Sequence, residues 1–339
     1  MTYSKWLGVD VSMDKLDISE FDGGQHKMHE IANNKRAISK FFKKFLSAST
    51  HVVMEATGIY HMVLFTKLLE LGISVSVVNP LIIKRFSQMK MVRAKTDIVD
   101  ARVIAEFGFE QNPKLSKLPS EDQRKIITRL RAINGMHKII NMLSNKIHAL
   151  DSSGNGDKLV IKEYKLLIKA HRRSIKKFEE QISKLVKESY NEVYERVIKI
   201  PGVGPRTASM TIGFFGEFED FESAKQVVSF VGLNPNPRES GKSVKRGSNI
   251  SKKGNPLFRK ILYVAALSAS QYNPSCKDLY ERLSNKGKSK MKSRVAVAHK
   301  LLRQIFAVVK YEREWCPNYY EKRDTFNSDD GKLAKSAAN

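Results

Sequence analysis

The sequence predicts a mixed α/β domain, then a long helical hairpin, then a mostly helical third region. Three observations predict it. Short apolar runs alternate with turns and helical stretches up to Phe109, which is the pattern of a sheet covered by helices. A heptad seam runs from about Gln123 to Ser189 with a single turn-rich break. Beyond Val197 a Gly-rich turn separates two apolar helical stretches.

In order along the chain, KWLGVDVS, KLDISEF and QHKMHEIAN read as three strands joined by hairpin-length links, so this flank of the sheet is antiparallel. A helix follows from about Asn34 to Leu46. HVVMEA (51–56) reads as a buried strand, IYHMVLFTKLLELG (59–72) as an amphipathic helix closed by Gly72, and ISVSVVNP (73–80) as a further strand. Asp97 to Phe109 reads as a helix with Thr96 as its N-cap. In the heptad region Ile161, Tyr164, Ile168, His171, Ile175, Phe178, Ile182 and Leu185 step by threes and fours, and Ile126, Leu130, Ile133, His137, Ile140 and Ile147 make a weaker matching seam. DSSGNGD (151–157) breaks the two, so they form an antiparallel hairpin or pack on another subunit, with His137 and His171 as seam residues. IPGVGPRTASMTIGFFG (200–216) looks like a helix-hairpin-helix, whose N–H groups around Gly202 and Gly204 face a phosphate; a plain helix connection is the competing reading. The basic loop GLNPNPRESGKSVKRGSNISKKGNPLFRK leads to an apolar helix, ILYVAALSASQY. A second basic loop, NKGKSKMKSR, precedes a last helix from Val295 to Tyr311, and the tail from Lys322 reads as disordered.

Sixty Lys and Arg against 35 Asp and Glu give a net charge of +25 in 339 residues, a field that attracts polyanions and nucleic acid first. Between Lys114 and Lys187 basic residues outnumber acids more than two to one. No apolar run approaches the roughly 18 residues that span a bilayer, and MTYSKWLGVD has no signal-peptide core, so a cytosolic protein without a membrane partner is expected. Cys276 and Cys316 are too few and too far apart for a disulfide scaffold or a zinc cluster.

Against that positive background four acids stand out. Asp10 ends the strand-like WLGVD and Glu55 ends HVVME, while Asp97 and Asp100 are three apart and share one helix face. Singly, each is explained by a surface charge, a cap or a salt bridge. Together, at one sheet edge, they would repel unless cations neutralised them, and carboxylates suit Mg²⁺ or Mn²⁺. Asp14, Asp17, Asp22 and Glu106 read as ordinary surface acids.

LGVDVSMDKLDI, MEATGIYH, VVNP and AKTDIVDARVIAEF, followed by IPGVGPRTA, FVGLNP, ESGKSV and ISKKGNPLFRKIL, resemble the DEDD-type insertion-sequence transposases. These are the IS one-hundred-and-ten family, relatives of the Piv invertase, and the likeness runs from about Lys5 to Tyr311. The resemblance implies a RuvC-like (RNase H-like) catalytic domain over 1–120, a coiled-coil insert over 121–195 and a C-terminal transposase domain with a catalytic serine over 196–321, ahead of a disordered tail, 322–339. It implies that Asp10, Glu55, Asp97 and Asp100 are the metal-binding acids and Ser240 the nucleophile that becomes a phosphoserine–DNA link. It also implies donor and target DNA as partners, a structured bridge RNA as guide, a homodimer or tetramer, and a bacterial, nucleoid-associated location.

The residues alone do not choose Ser240 over Ser243, Ser248 or Ser251. They do supply a basic loop: Lys242, Lys245, Arg246, Lys252, Lys253 and Arg259 are candidates for backbone phosphates. Two other readings compete. One is a RuvC-like nuclease that hydrolyses DNA junctions with no covalent intermediate, and the other is a non-catalytic, basic nucleic-acid-binding protein.

Overall fold

The computed structural model describes residues 3–46, 49–56, 58, 60–92, 96–154, 156–240, 244–251 and 254–317, with the backbone alone for 236–240 and 244–249. Lys242, Lys252, Lys253 and the tail 322–339 lie outside the described residues. The chain divides into two compact units, Met1–Leu118 and Pro119–Asn339.

The first unit is a five-stranded mixed sheet of β1 (Lys5–Val11), β2 (Lys15–Phe21), β3 (His26–Ala32), β4 (Thr50–Glu55) and β5 (Ser74–Val78) in the order β3-β2-β1-β4-β5. β1 pairs antiparallel with β2 and β2 with β3, as the hairpin-length links require, whereas β1–β4 and β4–β5 are parallel. Helices α1 (Lys35–Phe42) and α2 (His61–Glu70) make the two crossovers. Asn34 is the cap of α1 rather than its first residue, its Oδ1 accepting from the Ala37 N–H at 2.9 Å.

Side-chain alternation gives the sheet two apolar faces. Leu7, Val9, Leu16, Ile18, Val52 and Met54 pack under Ile38, Phe42, Leu64 and Leu68 of α1 and α2. Val53 and Val78 turn the other way, to α3 (Pro80–Met89) and α4 (Asp97–Gln111), where Ile83, Phe86, Ile104 and Phe107 cover them. The sequence reading leaves α3 unassigned; its signal is Asn79-Pro80, an N-cap whose side chain accepts from the Leu81 N–H at 2.9 Å, followed by Pro at the first helical position. The same Asn-Pro start recurs at Asn255-Pro256 and Asn273-Pro274.

One contact sets the height of α4. A Cβ on Gly8 would stand 2.2 Å from the Ala105 nitrogen and 2.3 Å from the Ala101 oxygen, so the helix backbone rests directly on β1. Gly108, one turn further, has Val53 Cγ2 at 2.8 Å from where its Cβ would be.

Among the described residues, the second unit is helical except for one β-hairpin. Ser120 and Gln123 form a capping box that starts α5 (Glu121–Ser152), and Asp157 caps α6 (Lys158–Ser189). The seam residues Ile126, Leu130, Ile133 and Ile140 are buried with Ile168, Ile175 and Ile182, while His137 and His171 are half-buried between them. This core is continuous with that of α7 (Asn191–Ile198), α8 (Pro205–Phe215), α9 (Ala224–Val231), α10 (Pro256–Tyr272), α11 (Pro274–Asn285) and α12 (Lys290–Lys310), through residues such as Ile212, Phe215, Phe258 and Leu302.

Two stretches read as loops are ordered otherwise. PNPRES and VKRGSNI pair antiparallel as β6 (Pro235–Ser240) and β7 (Val244–Ile250). Their few apolar side chains hide the two-residue period by which a strand is recognised. Likewise the basic NKGKSKMKSR is only half a loop, because Ser289 caps α12 and the helix starts at Lys290. Among the described residues no helix is long and apolar enough to cross a membrane.

The Gly8 contact yields a direct expectation. Gly8→Ala forces α4 off the sheet and lowers unfolding stability by about 1–3 kcal/mol, read as a drop in the denaturant midpoint at unchanged slope. An unaltered midpoint would mean that α4 gives way at no cost.

Candidate active site and nucleic-acid surfaces

The four acids singled out in the first unit come from three elements with a common edge. β1 and β4 run in parallel register up to Val9↔Met54, so the next step places Asp10 beside Glu55 at the carboxyl ends of both strands. By alternation these two lie on the Gly8–Val53 face, the face that carries α4. Thr96 starts α4 at this edge: its Oγ1 accepts from the Val99 N–H at 3.3 Å, and Asp97 and Asp100 fall in the first turn. Because Ala101 sits on Gly8, that turn projects past it toward Asp10, two residues along β1.

The electrostatics record the convergence. Burial raises the Asp10 carboxyl to about 6, and the nearby charges of Asp100 and Asp97 push in the same direction, with the Val11 N–H opposing. Burial and the neighbouring acids both disfavour the charge on Asp10, so a cation here relieves repulsion, which is the fit expected of a divalent-metal site built from oxygen donors. As the side chains stand, no group of three or more His, Cys, Asp or Glu among the described residues is closed tightly enough to hold an ion.

Asp17 is not the surface acid that its polar surroundings in the sequence suggested. It is 5% exposed and lies directly across from Asp10 in the β1–β2 register. Its carboxylate meets the Lys15 ammonium at 3.1 Å, and the same ammonium reaches Glu30 Oε2 and Asp97 Oδ2 at 3.3 Å each. The signal for this was the alternation of Lys15, Asp17 and Ser19 with apolar Leu16 and Ile18, but its meaning depends on which strand lies alongside. Of the other acids read as ordinary, Asp22 closes a turn by accepting from the Gly24 and Gln25 N–H groups, and Glu106 pairs with His26 and Lys90.

The serine lies in the second unit. Ser240 is the last residue of β6, paired across the hairpin with Val244, and Arg246 and Lys245 follow on β7 opposite Arg238 and Glu239. Arg259, on α10, donates from Nη1 to the Val231 carbonyl at 2.9 Å and so ties α10 to the end of α9.

The Gly-rich turn between α7 and α8 uses its glycines differently. Gly202 has φ +96°, and a Cβ there would meet Ala269 of α10 at 2.5 Å, so packing requires this glycine. Gly204 borders open space, at the mouth of a cavity of about 420 Å³ between the turn and α10. Arg206, Thr207, Lys260 and Ser268 supply its polar lining and Ile261 and Val264 its apolar wall. The Arg206 Nε is buried with no partner among the described residues, and burial lowers the affinity of that guanidinium for its proton.

Two family models and several known proteins match the chain. A transposase model of the DEDD IS110 type matches residues 7–151, which hold all four acids, and the model described as Transposase IS116/IS110/IS902 family matches residues 194–281, which hold the Ser240 hairpin. The pilin gene-inverting proteins of Moraxella bovis and Moraxella lacunata are each 26% identical over 330 residues, covering 93% of this chain and 99% of theirs. The transposase for insertion sequence element IS1111A of Coxiella burnetii is 26% identical over 288 residues, 76% of either chain. An acid-edged mixed sheet followed by a basic helical unit, with these relatives, defines a DNA transposase or site-specific recombinase. The chain belongs to the IS110 family of transposases, whose DEDD domain carries a RuvC-like fold and a divalent-metal requirement.

The raised Asp10 carboxyl makes metal-free stability depend on pH. Its folded value lies above its unfolded one, so stability falls as pH rises from about 4 to about 6 and is level above. Asp10→Asn removes this slope and, allowing for the partial exposure of the side chain, stabilises the EDTA-treated protein at pH 7 by about 1 kcal/mol. Parallel pH–stability curves for the two proteins would show that Asp10 is not strained.

Proposed function

We propose that this chain excises and inserts a mobile DNA element by cutting and rejoining strands through Ser240, with Mg²⁺ or Mn²⁺ held by Asp10, Glu55, Asp97 and Asp100. The observation that carries the reading is the repulsion among Asp10, Asp97 and Asp100 at the carboxyl edge of β1 and β4. Bound there, divalent ions would supply charge neutralisation for the attacking and leaving oxygens of a phosphodiester displacement.

The chain's own residues do the rest. The Ser240 oxygen attacks phosphorus, the Oγ–P bond forms as the P–O3′ bond breaks, and the departing 3′ oxygen takes up the proton that the serine gives up. The phosphoserine link keeps the bond energy, so a new 3′ hydroxyl can reverse the step and reseal a strand without ATP. Arg246, Lys245 and the sequence neighbours Lys242, Lys252, Lys253 and Arg259 bring positive charge to the strand and to the charge that grows on its phosphate. The turn at Gly204, with Arg206 and Lys260 lining its cavity, acts as a helix-hairpin-helix contact to backbone phosphate, while Gly202 serves packing. α5 and α6 form the coiled-coil insert over 121–195, between a catalytic domain over 1–120 and a transposase domain over 196–321.

The chain acts as a dimer or tetramer. The partners are donor and target DNA, and a structured bridge RNA selects both.

A suicide substrate tests the chemistry. The parent protein, with Mg²⁺, leaves a covalent protein–DNA adduct that Ser240→Ala lacks, and Asp97→Ala lowers the adduct by at least about 100-fold. Cleavage with no adduct would instead identify a junction nuclease that uses water. Full recombination by Ser240→Ala would refute the serine assignment. Lys260→Gln is expected to weaken duplex binding evenly across sequences and to reduce the salt slope by about 1; an unchanged slope would remove the turn from the DNA surface.

A further inference from the structure

The Lys15 ammonium occupies a position that the transposase chemistry does not explain. It is 39% exposed and touches three carboxylates from three elements: Asp17 of β2 at 3.1 Å, Glu30 of β3 at 3.3 Å and Asp97 of α4 at 3.3 Å. Asp17 and Glu30 face one another in the β2–β3 register, so two carboxylates on adjacent strands hold the lysine in place. Asp17 is fixed by burial and stands across from Asp10, while Asp97 is 59% exposed on the first turn of a helix. Lys15 is thus anchored on the sheet side and grips an exposed acid on the helix side.

We propose that Lys15 is the resident counterion of the acid cluster, a positioning residue that holds Asp97 while metal is absent and that a divalent ion must displace from Asp97 in order to bind. The inference rests on the reading of Asp97 as a metal ligand. Its physical basis is competition for one carboxylate. With Lys15 in place, a cation entering beside Asp10 meets a positive charge already bound to one of its ligands, and that repulsion subtracts from its affinity. Once displaced, the ammonium stays tied to Asp17 and Glu30 at the rim of the site, where a DNA phosphate arriving with the metal offers it a new partner. Metal and DNA therefore load together more favourably than either alone, and the empty site does not unravel through its own repulsion.

Manganese uptake by the full chain, followed by the loss of the free-ion spin-resonance signal, tests this without any recombination assay. Lys15→Gln, and Lys15→Thr as a strand-favouring alternative, are expected to bind Mn²⁺ about five- to tenfold more tightly than the parent, because the competing charge is gone. Lys15→Arg, which keeps the charge, stays near the parent value. In EDTA the Gln and Thr variants melt at lower temperature, and Mn²⁺ raises their melting temperature by more than it raises the parent's. Unchanged or weaker Mn²⁺ binding in both neutral variants would overturn the proposal, since a lysine that merely braces the fold does not tighten a metal site when removed. Asp10→Asn separates the two levels of the reading. If it abolishes uptake while the Lys15 variants leave affinity unchanged, only the counterion role fails. If it binds Mn²⁺ as the parent does, the metal site itself is misplaced and both fall.

Discussion

The first unit depends on how closely α4 approaches β1. The main chain of Ala101 and Ala105 lies on Gly8 with no room for a single extra carbon, and this fixes the first turn of the helix against the end of the strand. A larger residue at position 8 would hold the helix at ordinary packing distance and carry Asp97 and Asp100 away from Asp10. A glycine in mid-strand costs conformational entropy and a packing side chain. Here those losses are offset by a contact that makes Asp10, Asp97 and Asp100 one electrostatic unit, beside which parallel strand register sets Glu55.

That unit is destabilised by its own charge. Asp10 is pushed toward neutrality by burial and by Asp100 and Asp97, and Asp17 adds a buried carboxylate across the strand. A fold can tolerate such a site because the rest of the sheet is well covered: both faces bury aliphatic and aromatic side chains under helices, each worth about 1.5–3 kcal/mol. The strain is local, confined to the edge where Asp10 meets the first turn of α4.

The second unit solves a different problem, presenting positive charge on a rigid support. One core runs from the α5–α6 seam through α8 and α10 to α12, so the basic outer faces of the hairpin and the turn at Gly204 are held by one packed body. Asn-Pro caps start α10 and α11 and a serine starts α12, each using a short polar side chain to close N–H groups that would otherwise point into solvent unpaired.

By itself the sequence determined the local elements and the residue chemistry: the antiparallel flank, the buried strands, the Thr96 cap, the seam of α5 and α6, and the excess of positive charge. These follow from periodicity, capping and composition, which act over a few residues. It left α3 unassigned, although Asn79-Pro80 marks its start, and it hid β6 and β7, whose polar side chains lack a two-residue pattern. The placement of Asp10, Glu55, Asp97 and Asp100 at element ends was legible; the surroundings of Asp17 and Lys15 were not, because a polar pair in a strand is a surface feature or a buried ion pair according to what lies alongside. Only the tertiary structure decided that, by bringing Asp10 against Asp17 through strand register and Asp97 over both through the missing side chain of Gly8. Register and helix height are relations between segments far apart in the chain, and no local pattern encodes them.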